Sequence, residues 1–398
     1  MKPPADTAAV FERAEIGGAM GVPEESIKTS IGPKGVGSDS ARSERPSVLA
    51  RLLKRPELGA LSGAILVYII FYFLAGSSGM FTLRGMIEIL QVSAEIGILA
   101  TTASLLMIAG EFDLSMGSMI GFAGVIIGLG STVYHLPLYL AILLALVICA
   151  AIGALNGWLT VRTGVPSFIV TLASMLILRG EAISETRAIN GYTQISKITE
   201  GDPDSSAVSL FGGNAAQSVF SWMAHHHWID ANQAGDPSVA GIPASILWWV
   251  ALTALATWVL MRTRFGNWIF AVGGDKTSAI NVGVPVDRVK IVLFMLTAMS
   301  AVLFAAIQIM QVGSADTLRG TQKEFDAIIA VVIGGTLLTG GYGSPIGAFL
   351  GALIYGTVQM GIVYTRSDAD RFKVFLGVMV LLAVLFNNYI RRRATQAR

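Results

Sequence analysis

Residues 264–290 of the chain read RFGNWIFAVGGDKTSAINVGVPVDRVK, a polar and charged segment that separates two long apolar runs. The segment contains the signals of a short helix. Asp275 is a favoured N-cap residue, Gly283 favours the end of a helix, and Pro285 prevents the helix from continuing. We therefore predict a short helix over residues 276–282, with a plain loop as the alternative. A helix this short is marginal in water, so its own protein or a partner must brace it.

The composition of the chain indicates a polytopic membrane protein. Of 398 residues, 53% are hydrophobic and 14% are charged, whereas soluble domains carry about 25% charged residues. The net charge is only +2, which does not favour a nucleic-acid-binding protein. The single cysteine, Cys149, lies in an apolar run and excludes an intramolecular disulfide, so we expect it to be a small core residue.

Apolar runs of sufficient length predict the membrane spans, because a helix needs about 20 apolar residues to cross a bilayer. The runs cover residues 58–75, 86–109, 117–134, 138–161, 166–178, 243–261, 289–309, 325–338, 346–364 and 372–389. Two of them, 166–178 and 325–338, are short. The sequence therefore predicts an all-α polytopic membrane protein with roughly ten transmembrane helices, some of them broken.

Lysine and arginine in short loops predict the orientation. Basic clusters precede the first run, follow the last run and lie within residues 264–290. An even number of spans places all three in the cytoplasm, together with both termini. Residues 190–242 then form a loop on the opposite side. Residues 1–50 mix Pro, Gly, Ser, Glu and Lys without an apolar period, which predicts a disordered cytoplasmic tail ahead of a transmembrane domain over 51–398.

The outer loop contains three adjacent histidines, His225, His226 and His227. Histidine is a common metal ligand, but adjacent side chains on an extended chain point in different directions. We therefore expect a solvated loop there and no metal site.

Two glycine-rich segments interrupt the apolar pattern, at residues 110–118 and 340–345. Irregular backbone at membrane depth is tolerated only where protein or water covers it. The pentapeptide GSMIG at 117–121 resembles GSPIG at 343–347, and this suggests two similar halves repeated in parallel. Chance similarity between glycine-rich helices is the alternative.

Glu88, Gln91 and Glu95 share one face of the second predicted helix. Acidic residues inside a membrane are costly and usually face a polar cavity or a partner, so the stripe is a candidate solute pathway. Hydrogen bonding between helices is the alternative, and Glu88 would then lie near Arg84 at the outer boundary.

Glu111, Asp113 and Ser115 belong to the first glycine-rich segment. The two acids lack a third metal ligand and a histidine, so neither metal binding nor acid–base catalysis is convincing. Asp113 suits the N-cap of the third helix, with a pathway role for Asp113 and Ser115 as the second interpretation.

Small and amide-bearing side chains on later helices are further candidates. Thr171 and Ser174 lie on neighbouring turns of the fifth run, where hydroxyl residues commonly pack helices together, and a pathway role is the alternative. Gln308 and Gln311 lie near the end of a predicted span, and we expect them to mark that end rather than a site.

The sequence GGDKTS at 273–278 resembles part of a phosphate-binding loop. That loop needs a glycine directly before the lysine, and a further glycine five residues earlier. Here Asp275 precedes Lys276 and would repel phosphate. We therefore predict that the chain does not hydrolyse ATP and is not an enzyme.

Four ordered segments together resemble a known family. They are GEFDLSMGSMIGFAG at 110–124, GALNGWLTVRTGVPSFIVTLASMLILRG at 153–180, AVGGDKTSAINVGVPVDRVK at 271–290 and IGGTLLTGGYGSPIGAFLGALIYG at 333–356. The chain resembles the permease subunits of bacterial ABC importers for monosaccharides, the ribose, xylose and fructose branch. The tail 1–50 and the loop around 190–242 fall outside this resemblance.

The resemblance implies a pair of permease chains, most simply a homodimer, in the bacterial inner membrane. It implies ATPase subunits on the cytoplasmic side, which bind ATP and Mg²⁺, and a periplasmic sugar-binding protein, with no cofactor in this chain. Residues 264–290 would be the coupling loop and 190–242 a periplasmic loop. The residues expected to couple to the ATPase are Gly273, Gly274, Asp275, Lys276, Ala279, Asn281 and Gly283.

The general likeness favours fructose or xylose over ribose. A permease for branched-chain amino acids is the nearest alternative. A stand-alone channel or secondary transporter, using Glu95 or Asp113 for proton coupling, is an alternative from another class. The candidate pathway residues are Glu95, Asp113, Ser115, Thr171 and Ser174.

Overall fold

The computed structural model describes residues 56–202, 205–231, 236–366, 368 and 370–396. The predicted tail 1–50 lies outside the described residues. The helices are α1 Pro56–Ala75, α2 Leu83–Ile108, α3 Met116–Thr132, α4 Leu138–Thr163, α5 Ser167–Asn190, α6 Gln217–His225, α7 Ala244–Arg262, α8 Arg264–Gly274, α9 Lys276–Asn281, α10 Val286–Val312, α11 Lys323–Ile333, α12 Pro345–Tyr364 and α13 Arg371–Gln396. Four two-residue strands, β1 Gln194–Ile195, β2 Asn214–Ala215, β3 Ile242–Pro243 and β4 Ala315–Asp316, form the antiparallel pairs β1–β4 and β2–β3.

Seven of these helices are long and apolar enough to cross a membrane, and they are α1, α2, α4, α5, α7, α10 and α12. The prediction of an all-α polytopic membrane protein is confirmed. The run 166–178 was expected to be short, but α5 continues to Asn190 and has 24 residues. The apolar run ends early because Arg179 and Glu181 follow it, and the helix itself does not end there.

The run at 325–338 is also organised differently from the expectation. Helix α11 has 11 residues and ends at Ile333, because Gly334 and Gly335 close it and Gly335 has a φ of +89°. The span is completed by an irregular segment, 313–322, that leads into α11. The apolar pattern alone did not distinguish this arrangement from one short helix.

Helix α2 occupies the centre of the bundle and contacts α7, α10, α11 and α12. In its most apolar window 78% of the residues are buried, against 22% for the peripheral helix α1. Peripheral helices expose leucine, isoleucine and phenylalanine, as lipid requires. Inside the bundle, Trp249 of α7 is fully buried, stacks on Phe349 and lies directly over Gly97 of α2.

The two irregular segments lie at opposite ends of the bundle. The first, 109–115, joins α2 to α3 beside the loop that precedes α12, where the Gly341 N–H donates to the Ile108 carbonyl at 2.8 Å. The second, 313–322, joins α10 to α11 beside the end of α5, where the Thr317 N–H donates to the Thr193 carbonyl at 3.2 Å. Most residues of both segments are buried or half-buried, and their backbone bonds to neighbouring parts of the protein limit the cost of irregular backbone.

The similar pentapeptides at 117–121 and 343–347 start α3 and α12, which run in the same direction from the same side of the bundle. Their packing partners differ. Gly117 approaches Gly320, just before α11, whereas Gly347 approaches Gly334, just after it. The two similar pentapeptides therefore begin two helices that pack against opposite ends of α11.

Two glycines spaced four apart, Gly153 and Gly157, allow α4 to pack against α10. A Cβ atom at Gly153 would lie 2.5 Å from the Phe294 carbonyl oxygen, and one at Gly157 would lie 2.8 Å from the Cα of Ile291. Small residues at this spacing let membrane helices approach closely.

We predict that Gly153→Ala and Gly157→Ala each destabilise the chain, by about 1–3 kcal/mol, because the added methyl group must push α10 away. Gly180→Ala on α5 is the matched control, since no atom lies within 4 Å of its Cβ position. Thermal melting of the purified chain in detergent measures the effect. Equal melting temperatures for all three variants would contradict the packing argument.

Candidate functional site

The segment between α7 and α10 folds into two short helices, α8 and α9. The Thr263 hydroxyl caps α8 by accepting the Gly266 N–H at 3.2 Å. The Asp275 carboxylate caps α9 by accepting the Ser278 N–H at 2.6 Å, and Gly283 follows α9 with a φ of +82°. The predicted cap and stop of the second helix are confirmed. Helix α8 was missed, because its apolar residues lie within a segment that is polar on average.

Helix α9 is seated on the protein by one side chain and presents the others outward. Ala279 is 2% exposed, whereas Ile280 and Val282 are 53% and 78% exposed. Asn281 and Lys276 are also exposed. Exposed apolar side chains beside polar ones, on a short braced helix, form a surface suited to docking another protein.

The charge of Asp275 is favoured by its capping role. Hydrogen bonds from Ser278 lower the pKa of this carboxyl group below its ordinary value. Because the pKa is lowered in the folded chain, the stabilisation is present above the ordinary aspartate pKa and is lost only as pH falls through the lowered value. The cap is therefore intact throughout the neutral range.

Backbone contacts connect α8 to both neighbouring loops. A Cβ atom at Gly273 would lie 1.8 Å from the Ile108 carbonyl oxygen and 2.6 Å from the Gly341 nitrogen. One at Gly340 would lie 2.8 Å from the Cα of Gly110. We call Gly110, Gly273, Gly340 and Gly341 the glycine junction. Only glycine permits three chain segments to approach this closely, so a displacement of α8 must move the ends of α2 and of the α12 loop.

A buried ion pair lies directly beyond the glycine junction. Lys290, in the first turns of α10, donates to the carboxylate of Glu111. Both residues are less than a tenth exposed, at 8% and 9%. The pair ties the helix that follows α9 to the irregular segment between α2 and α3. Both charged residues are visible in the sequence, but no local pattern predicts that they pair.

Asp113 does not cap α3, and this prediction is wrong. Ser115 occupies the N-cap position and makes no side-chain capping bond. The Asp113 carboxylate instead accepts the Ser115 N–H at 2.9 Å and the Ser115 hydroxyl at 2.5 Å through one oxygen, and the Thr297 hydroxyl at 2.5 Å through the other. Asn156 also donates to the Ser115 hydroxyl, at 3.2 Å. The carboxylate therefore joins the irregular segment to α10.

Helix α5 provides hydrogen-bond acceptors for the same irregular segment, 109–115, from its other side. The hydroxyl oxygens of Ser167 and Thr171 accept the N–H groups of Phe112 and Leu114, each at 3.1 Å. Thr171 is fully buried, and Ser174, one turn further, is half-buried. Of the candidate pathway residues, the structure thus brings Asp113, Ser115 and Thr171 together in buried packing.

Glu95 lies elsewhere, in a second polar cluster between α2 and α10. Its carboxyl group is hydrogen-bonded to the Gln308 side chain. One turn away, the Gln91 amide donates to the Gln311 amide oxygen at 3.4 Å. The two glutamines do lie at the end of α10, as predicted, and both also contact polar residues on α2.

Glu88, the third member of the predicted stripe, has different partners. Arg84 pairs with it at 2.9 Å and the Tyr364 hydroxyl donates to it at 2.8 Å. It lies near the start of α2, beside a side chain of Arg84 that is 69% exposed. The boundary interpretation therefore describes Glu88 better than a pathway role.

The three histidines lie at the end of α6 and just after it. His226 Nδ1 lies 2.8 Å from the Trp222 carbonyl oxygen, and its ring packs on the Trp222 indole. Among the described residues, no group of three or more His, Cys, Asp or Glu side chains is arranged to hold a metal ion.

Comparison with known proteins identifies the family. The family described as "Branched-chain amino acid transport system / permease component" matches residues 85–384. The chain belongs to this family. It is a multi-pass permease component, and the helix junctions above belong to a transport protein. No solved structure gives a significant match.

Individual relatives match most of the permease. The ribose import permease protein RbsC of Escherichia coli (strain K12) is 32% identical over 78% of this chain and 88% of its own length. The probable ABC transporter permease protein YphD of the same strain is 31% identical over 86% of this chain and 92% of its own length. The xylose transport system permease protein XylH, also from that strain, is 29% identical over 83% of this chain and 91% of its own length.

We predict that Glu111→Gln and Lys290→Met each destabilise the permease strongly, by about 3–5 kcal/mol, because the remaining charge is buried without its partner. The double variant should recover most of the loss, since no buried charge remains. Glu200→Gln is the matched control, because the Lys197–Glu200 pair is exposed. Thermal melting in detergent measures all four variants, and additive losses in the double variant would contradict the pairing.

We also predict that Asp275→Ala weakens α9 and that Asp275→Asn largely preserves it, because asparagine caps helices as well as aspartate does. The cost of losing the cap is about 1 kcal/mol. Amide hydrogen exchange of residues 276–282 in the purified permease measures the opening of the helix. Equal exchange rates for the alanine and asparagine variants would show that the cap does not hold α9.

Proposed function

We propose that the permease is the membrane subunit of an ATP-driven importer of monosaccharides. The proposed transport mechanism is supported by α9, a capped helix with exposed side chains. It follows α8, whose Gly273 belongs to the glycine junction. The proposal for the substrate is supported by relatives named for ribose and xylose that align with about four fifths of the chain. In this proposal ATP and Mg²⁺ are bound by partner subunits, because the GGDKTS sequence lacks the required glycine.

The coupling contact would consist of the exposed surface of α9 and the end of α8. Its residues are Gly273, Gly274, Asp275, Lys276, Ala279, Asn281 and Gly283. Ala279 and Gly273 would transmit movement inward, since both pack against other segments of the permease. Asn281, which is exposed, would face the ATPase. A partner moves an inward–outward equilibrium only as far as its affinities for the two states differ. Rigid backbone contacts at the glycine junction would allow that difference in affinity to act on the neighbouring helices.

The complete topology is part of the proposal. Helix α3, the irregular span ending in α11, and α13 would raise the seven long helices to ten spans. Both termini and residues 264–290 would be cytoplasmic, and residues 190–242 periplasmic. A homodimer in the inner membrane would receive sugar from a periplasmic binding protein. The cytoplasmic assignment of the loop follows from its basic residues and from the basic ends of the chain.

The identity of the sugar stays a prediction. Relatives named for ribose and for xylose match to a similar extent, so they do not favour fructose or xylose over ribose. A permease for branched-chain amino acids is the second candidate, because the family description names those substrates. Uptake of labelled ribose, xylose and fructose compared with leucine, in cells with and without the gene, separates the two. Leucine uptake that depends on the gene, without sugar uptake, would overturn the sugar assignment.

We predict that Asn281→Trp abolishes uptake while membrane insertion is unchanged, because a bulky side chain on the exposed face of α9 prevents ATPase docking. Gln217→Trp, on the exposed surface of α6 at the opposite end, is the matched control. The amount of permease in the membrane, its co-purification with the ATPase and the uptake rate are measured together. Uptake at the wild-type rate by Asn281→Trp would show that α9 is not the coupling contact.

A further inference from the structure

A polar cluster lies deep between α2 and α10 and has no role in the proposed coupling. We call Gln91, Glu95, Gln308 and Gln311 the amide cluster. Two contacts cross from one helix to the other, Gln91 to Gln311 at 3.4 Å and Glu95 to Gln308. The cluster therefore presents three amides and a carboxyl group at one place in the bundle.

Charged residues from α11 and the segment before it adjoin the amide cluster. Lys323 and Asp326 form an ion pair at 3.5 Å, and the Tyr355 hydroxyl is hydrogen-bonded to Asp326. Glu95 lies close enough to Lys323 and Arg319 to interact with both charges. The formal charges of Glu95 and Asp326 are thus balanced by Lys323 and Arg319. Each of these two acids therefore has a basic residue beside it.

The amide cluster retains access to water inside an otherwise dry bundle. All four of its side chains are half-buried, whereas their neighbours Ser93, Ile96, Ile307 and Ile309 are at most 1% exposed. Helix α2 is the central helix, so this exposure does not face lipid. Partial exposure of polar side chains at such a position is expected of residues that line a solute pathway.

The four residues follow α2 and α10 from their outer ends toward the interior of the bundle. Gln311 lies in the last turn of α10, and Gln91 lies on the third turn of α2. Glu95 lies one turn deeper, roughly 18 Å from the start of α2 at 1.5 Å per residue. A solute that entered from the outer side would therefore meet the amide cluster before it reached the buried segment around Asp113.

Amide side chains suit hydroxyl groups, because each amide both donates and accepts hydrogen bonds, as a hydroxyl does. The Gln91–Gln311 contact, at 3.4 Å, is longer than the usual 2.9–3.0 Å, so a solute hydroxyl would replace it at little cost. We propose that the amide cluster is a transient contact site for neutral, polyhydroxylated solutes, which for this permease means the imported monosaccharide. This inference rests on the proposed sugar-import function. A zwitterion such as leucine would need unpaired charges, and those beside the cluster neutralise each other.

Cysteine labelling tests the site directly, because the one native cysteine, Cys149, is fully buried. Gln308→Cys and Gln311→Cys are introduced into the assembled transporter in native membranes. We expect a membrane-impermeant methanethiosulfonate reagent to modify both from the outer side, and import of ribose or xylose to slow the reaction. Ala305→Cys, on the same helix and 2% exposed, is the control that should stay unmodified. Failure to label positions 308 and 311, or labelling that sugar import does not alter, would overturn the proposal.

Substrate preference separates solute contact from a structural role. Gln308→Leu keeps the side-chain size and removes the hydrogen bonds, so we expect the ratio of ribose to xylose uptake to change roughly two- to tenfold, the effect of one hydrogen bond. Gln217→Leu, outside the cluster, should leave the ratio unchanged. An equal loss for both sugars, or no loss, counts against the contact site.

The failure of the site and the failure of the function give different results. If the wild-type transporter imports no monosaccharide, the proposed function is wrong and the site with it. If the wild type imports sugar while Gln308→Leu imports ribose and xylose at wild-type rates, only the contact site is wrong.

Discussion

The structure depends on one constraint, which is that every peptide group at membrane depth needs a partner within the protein. The segment between α2 and α3 is not helical, and α2 carbonyls accept its N–H groups only as far as Glu111. Hydroxyls of Ser167 and Thr171 on α5 accept two of them, and Asp113 joins the segment to Ser115 and Thr297. Helices α5 and α10 are thereby held around one irregular turn, which lies beside residues 264–290.

The sequence Glu-Phe-Asp occurs twice, at 111–113 in the first irregular segment and at 324–326 in the first turn of α11. Each glutamate is buried and faces a cation from another helix. Glu111 is hydrogen-bonded to Lys290, whereas Glu324 lies 3.9 Å from Arg179. Within the described residues, one oxygen of Glu324 and one nitrogen of Arg179 have no hydrogen-bond partner. The Glu111–Lys290 pair therefore ties its segment more firmly than the Glu324–Arg179 pair ties α11 to α5.

Local chemistry explains which predictions succeeded. The cap and stop of α9 were predictable because Asp275 and Gly283 act on residues within one or two turns of themselves. Apolar runs predicted the long helices for the same reason. The cap assigned to Asp113 was wrong, because a partner 184 positions away, Thr297, binds its second carboxylate oxygen. The position of Gln311 at the end of a span was predicted, but its contact with Gln91 was not, since the two residues lie 220 positions apart.

The sequence by itself determined that the chain crosses the membrane repeatedly, where most helices begin, and that a capped helix follows residue 275. These properties depend on hydropathy and on interactions between near neighbours. Only the tertiary structure decided which glycines meet at the junction, that Lys290 pairs with Glu111, and which polar residues meet between α2 and α10. Those contacts join residues far apart in the chain, and their geometry is set by helix packing, which no local pattern encodes.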